Sequence, residues 1–200
     1  MLDTAGMAAL ADRTVGQLLD DVAERTPAPG GGSCSATVCA LGAGLVEMAA
    51  AFAVARDPDD ARAAEIHARA AQLRADALAL AEEELSVYAA VLEAMRLPRD
   101  TPGRAERVDA ALSDATDSPL AIARAAGEIA ALAAEIAVLG NLHLRGDALA
   151  GGLLADGACR AALQLVALNL SESPDDPRQN EARELAQRPW MAALSDAGDV

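Results

Sequence analysis

Apolar residues recur along this chain at the spacing of helix faces, and no stretch concentrates β-branched and aromatic residues as a strand would. Alanine and leucine, strong helix formers, dominate every long segment, so the pattern predicts an all-α protein. Thr14 is placed to cap a short helix running through Glu24, which stops at Thr26-Pro27-Ala28-Pro29 and three consecutive glycines. Ser33 then reads as the cap of a helix extending to about Ala55, where Asp57-Pro58 breaks the pattern. That helix is apolar on all sides, which predicts a position at the centre of a bundle.

From Pro58 to Met95 the chain reads as one long helix, with Ile66, Leu73, Leu80 and Val87 at seven-residue spacing as the seam for an antiparallel neighbour. A turn at Leu97–Gly103 precedes a helix from Arg104 to Asp114, and Ser118-Pro119 opens another. The latter places Ile122, Ile129, Leu132, Ile136 and Leu139 on one face and ends at Gly140-Asn141. The next helix, Asp147 to Leu170, carries Gly151, Gly152 and Gly157, which allow another backbone to approach. Beyond Ser173–Pro177 a polar helix runs to about Leu194. The expectation is one domain over residues 1–200, a single-domain antiparallel helical bundle with a buried central apolar helix, assembled as a homodimer.

Composition narrows the chemistry. Lysine is absent, so a Schiff-base lysine and a phosphate-loop lysine are excluded. A net charge of −15 and only three aromatic residues, Phe52, Tyr88 and Trp190, argue against nucleic acid. The charge also disfavours an anionic membrane surface. Cys34-to-Ala55 has the length of a membrane span, but Glu47 interrupts it and no basic or aromatic flanks anchor it, so a buried helix is expected. Three cysteines form no metal-ligand cluster and no disulfide framework, and the N-terminus has no secretory pattern, which together predict a cytoplasmic protein.

Three constellations are candidates for chemistry. Pro29, Gly30, Gly31, Gly32 and Ser33 feed free amides into a helix N-terminus, an arrangement that accepts an anion or a close-lying ligand; the same residues also suit a flexible capped connector. Asn141, His143, Arg145 and Asp147 concentrate polar groups in a short linker, where Asp147 reads either as a helix cap or as an ionised carboxylate able to take a proton. Glu84 lies on the face of Leu80 and Val87 and needs either an arginine partner or a burial-tuned acid role. Asn169 follows Ala158, Ala162 and Leu165 along one face and must find hydrogen-bond partners, whereas Arg124, Glu128 and Glu135 read as a solvated column.

Thr26-Pro27-Ala28-Pro29-Gly30-Gly31-Gly32-Ser33, Leu45-Val46-Glu47-Met48, Leu97-Pro98-Arg99-Asp100, Pro119-Leu120, Gly140-Asn141 and Asn169-Leu170 resemble the cyclodeaminase domain of the formiminotransferase-cyclodeaminase family, which includes stand-alone methenyltetrahydrofolate cyclohydrolases. The resemblance implies a helical homodimer that interconverts 5-formimino- or 10-formyl-tetrahydrofolate with the 5,10-methenyl form. It implies a tetrahydrofolate derivative as substrate, with no metal and no redox cofactor. Asp147 is expected to act as base, Glu84 or His143 as its proton partner, Asn141 and Asn169 as pterin ligands, and the amides of Gly30 to Ser33 as positioning groups. Arg145 and Arg56 are candidates for the substrate's glutamate carboxylates. Glu84 stands where the family pattern has an aspartate, and His143 where it has an asparagine. The alternative is an inactive helical homodimer that binds folate or a protein partner.

Overall fold

The computed structural model describes residues 9–187, and every regular element in them is helical. In order these are α1 (Val15–Ala23), α2 (Gly31–Arg56), α3 (Ala61–Arg96), α4 (Arg104–Asp114), α5 (Asp117–Leu139), α6 (Arg145–Asn169) and α7 (Pro177–Gln187), with short 3-10 turns at Leu10–Asp12 and Leu142–Leu144. The polar helix expected to reach Leu194 is α7 up to Gln187; its remainder and Trp190 lie outside the described residues.

The caps explain the boundaries. Thr14 closes a capping box with Gln17 at the start of α1, and Asp60 accepts the Ala63 amide at 2.9 Å to start α3. The expected Ser33 cap is not found. Helix α2 begins three residues earlier, at Gly31, with Gly30 as its N-cap and no side-chain cap bond, and Ser33 is buried in its first turn. Asp147 is likewise not a cap. Asn141 Oδ1 accepts the His143 amide at 2.9 Å, the 3-10 turn runs directly into α6, and Asp147 becomes the third residue of that helix, where its charge suits the dipole.

Helices α2, α3, α5 and α6 form an up-and-down bundle, and α2 touches the other three. Ile66, Ile122, Ile129 and Ile136 fill its centre, and the long faces between them are lined by alanines. Such small side chains let helices pack closely. Two helix backbones meet closely at the α2–α6 crossing, where a Cβ on Gly42 would lie 2.7 Å from the Gly151 carbonyl oxygen and one on Gly151 would lie 2.8 Å from that of Gly42. Gly157, by contrast, meets nothing within 4 Å.

Two expectations about faces change. Along α3 the buried seam keeps Ile66 and Leu73 but then follows Ala77 and Ala81, so Leu80 and Val87 are only half-buried. The supposed solvated column on α5 ties helices together: Glu135 takes a two-point bond from Arg62, Glu128 one from Arg69, and Arg124 gives one to Glu181. Each is exposed and contributes little to stability, on the order of 0–1 kcal/mol. The central helix is not enclosed on all sides either. Leu41 (61% exposed), Met48 (36%) and Phe52 (53%) leave an apolar stripe of α2 facing outward. Both Gly31–Arg56 and Leu142–Asn169 are long and apolar enough to cross a membrane by length and composition.

Candidate functional site

Alternating helix direction brings the N-termini of α2 and α5 to the same end of the bundle as Glu84 on α3 and the last turns of α6. Between them lies a cavity of about 200 Å³. Its floor is Gly30, Gly31, Gly32 and Ser33; Glu84, Val87, Tyr88 and Val91 form one wall, and Ala115, Pro119, Leu165 and Asn169 the other. The amides of the first α2 turn have no side-chain cap. Two helix N-termini at one cavity supply about half a positive charge each.

Glu84 is the charged group in this wall, and no arginine among the described residues pairs with it. Its carboxylate lies against the first turn of α2, with Oε1 buried and without a hydrogen-bond partner. Burial pushes the carboxyl above its ordinary range; the hydroxyl of Ser118, at the start of α5, lies close enough to offset part of that, and Glu83 adds a small push upward. The sequence left an ion pair and a tuned acid open for Glu84, and the environment is that of the second. Asn169 donates from Nδ2 to the Ala115 carbonyl at 3.1 Å, which fixes the amide and leaves its oxygen as an acceptor.

The cavity therefore unites Gly30, Gly31, Gly32, Ser33, Glu84 and Asn169; Pro29 is buried just before it. It does not include Asn141, His143, Arg145 or Asp147. Those four sit at the other end of α2, whose 26 residues span about 39 Å. Arg56, from the last turn of α2, holds that end by donating to the carbonyls of Leu139 (3.0 Å) and Gly140 (3.1 Å), so it closes the end of α5. His143 is exposed, Asp147 half-buried, and Nε and Nη2 of Arg145 are buried. Within one chain, Glu84 and Asp147 do not share a pocket.

Sequence reasoning missed Tyr88 and Ser118. Tyr88 stands four residues after Glu84, on the same helix face, a spacing that could have flagged it. Ser118 arrives through the α3–α5 contact, which no local pattern encodes. Cys34, Cys39 and Cys159 form no disulfide, and burial, with a smaller contribution from Cys159, pushes the Cys39 thiol up to about 12. No cluster of metal-ligating side chains occurs among the described residues.

Comparison with known proteins places the chain in a family and its fold among solved structures. A family model described as formiminotransferase-cyclodeaminase matches residues 14–188. The chain is 31% identical over 165 residues to a methenyltetrahydrofolate cyclohydrolase of Methylorubrum extorquens, covering 79% of both chains. It is 30% identical over 185 residues to a formimidoyltransferase-cyclodeaminase of Mus musculus, covering 87% of this chain but only 34% of that longer protein. The fold matches a formiminotetrahydrofolate cyclodeaminase structure from Thermotoga maritima with a TM-score of 0.78, at 23% identity and over 94% of this chain and 92% of the other. The family match, a relative above 30% identity matched over 79% of both chains and the shared helical bundle lead to one assignment: the chain belongs to the formiminotransferase-cyclodeaminase family.

Proposed function

We propose that this protein interconverts 5-formimino- or 10-formyl-tetrahydrofolate with 5,10-methenyltetrahydrofolate, as a cytosolic enzyme without metal or redox cofactor. The observation that carries the reading is the Glu84 carboxyl, half-buried, unpaired by any arginine among the described residues and set beside uncapped helix amides. In the cyclodeaminase direction N10 attacks the carbon of the protonated formimino group, an amidinium, and loses its proton, and the former imine nitrogen, now –NH2, takes up one proton and leaves as ammonia. In the cyclohydrolase direction water adds to the methenyl carbon and gives up a proton, the resulting hydroxyl gives up a second to become the formyl oxygen, and N5 takes up one proton as its bond to that carbon breaks. A carboxyl held above its usual range keeps its proton to higher pH than an ordinary glutamate and can carry these protons, and its anion stabilises the methenyl cation.

The cavity, at about 200 Å³, is smaller than the 300–1,000 Å³ usual for a whole ligand, so it suits the reacting ring, with the aminobenzoyl-glutamate tail lying outside. Tyr88 offers that ring an aromatic face, and the oxygen of Asn169 an acceptor.

The same reading includes a homodimer. The apolar stripe of Leu41, Met48 and Phe52 runs along α2 between the cavity at one end and the Asn141–Asp147 linker at the other. Two copies pairing antiparallel along this stripe would bring each linker to the other copy's cavity, with Asp147 as base opposite Glu84 and Arg145 near the tail. Following the methenyl chromophore with each folate tests the activity. The expected result is turnover above the uncatalysed rate, reduced about 10²–10⁴-fold in E84Q and in D147N. A folded wild-type protein that changes neither substrate would favour the binding-only alternative.

A further inference from the structure

Three consecutive glycines open α2, yet only one of them is in contact with the proposed acid. A Cβ on Gly30 would come no closer than 3.7 Å to the Pro27 carbonyl oxygen, and one on Gly31 would meet only the Leu165 methyls at 3.8 and 3.9 Å. A Cβ on Gly32 would overlap the Glu84 carboxylate and lie 3.0 Å from its Cγ. Backbone conformation does not explain this glycine, because among the described residues Gly103 alone has a positive φ. Inside a helix, alanine is favoured over glycine by about 1 kcal/mol. What residue 32 supplies is space.

Building on the function proposed above, we propose that Gly32 is the positioning residue for Glu84: its missing side chain is the seat of the carboxylate, and residues 32 and 84 act as a pair that sets where the acid meets substrate. The length of the glutamate side chain brings its carboxylate into the space a Cβ on residue 32 would fill. An aspartate at 84 would hold its carboxylate one bond short of residue 32. Alanine at 32 would meet the far end of a flexible side chain, so the expected response is an intact fold with the carboxylate expelled toward solvent.

The test is a titration of glutamate ¹³Cδ resonances in the full-length protein, with Glu84 assigned by its loss in E84Q. Glu84 in the wild type should titrate above an ordinary glutamate; in G32A its midpoint should fall toward the ordinary value of about 4.3, whereas in G31A it should stay where it was. In turnover, G32A should lower kcat at least tenfold and move KM less than threefold, and the same change in an E84D background should cost less than threefold. If G32A fails to fold, the G32A/E84D pair must restore folding. An unchanged Glu84 midpoint in G32A, an equal cost of alanine with aspartate or glutamate at 84, or a double variant that stays unfolded would overturn the proposal. The titration needs no turnover, so a protein inactive on every folate would defeat the proposed function and leave this result standing by itself.

Discussion

Glu84 shares a face of α3 with half-buried apolar residues, and its carboxylate lies near the Ser118 hydroxyl, with no cation beside it among the described residues, where an ion pair was one of two expectations. Because its folded pKa lies above the unfolded one, its contribution favours the folded state at low pH and is lost as pH rises through the folded value. E84Q is therefore expected to melt higher than wild type at pH 7, with the gap closing as pH falls to about 4, where both side chains are neutral. Thermal melts across pH 4–8 check this; a gap independent of pH would contradict it. The anomaly of Glu84 was legible from its spacing to Leu80 and Val87. Its surroundings were not, because Ser118 and Gly32 reach it from helices far away in sequence, and a sequence shows a carboxylate out of place more readily than what keeps it there.

At the scale of elements, most boundaries were legible because they rest on local chemistry: the Thr14 box, the Leu97–Gly103 turn, and the α4 limits, which match the structure at both ends. The misplaced starts share a cause. Ser33 and Asp147 are good caps by type, but Gly30 and the Leu142–Leu144 turn begin their helices sooner, leaving both side chains one turn inside. Glycines at the α2–α6 crossing set the distance between these helices, and they carry the next prediction. G151A, pressing a methyl against the Gly42 carbonyl, should lower unfolding free energy by about 1–3 kcal/mol in urea, as overpacking does. G157A, with nothing within 4 Å, should leave stability in one isolated chain unreduced. Equal losses for the two would mean the crossing is not the tight point.

Across the whole molecule, the all-helical bundle followed from composition and periodicity, whereas the arrangement of the candidate site did not. Two groups of residues, each recognisable by motif, lie at opposite ends of a helix about 39 Å long. Helical periodicity reports which face a residue occupies; it carries nothing about which end of a neighbouring copy that face will meet. The outward stripe of α2 shows the same limit: an apolar helix predicts burial without saying by what. Alanine richness has its counterpart in the close packing of α2, α5 and α6, while the net charge of −15 suits solubility.

The central claim is that two copies complete each site, Glu84 from one and Asp147 from the other. Mixing inactive E84Q with inactive D147N, after dissociation and reassembly, tests it most directly. Half the random dimers would be mixed, and each would carry one intact site and one doubly altered site, so activity on methenyltetrahydrofolate should return to about a quarter of wild type. A reassembled mixture no more active than the separate variants, with mixed dimers verified by mass, would contradict the account.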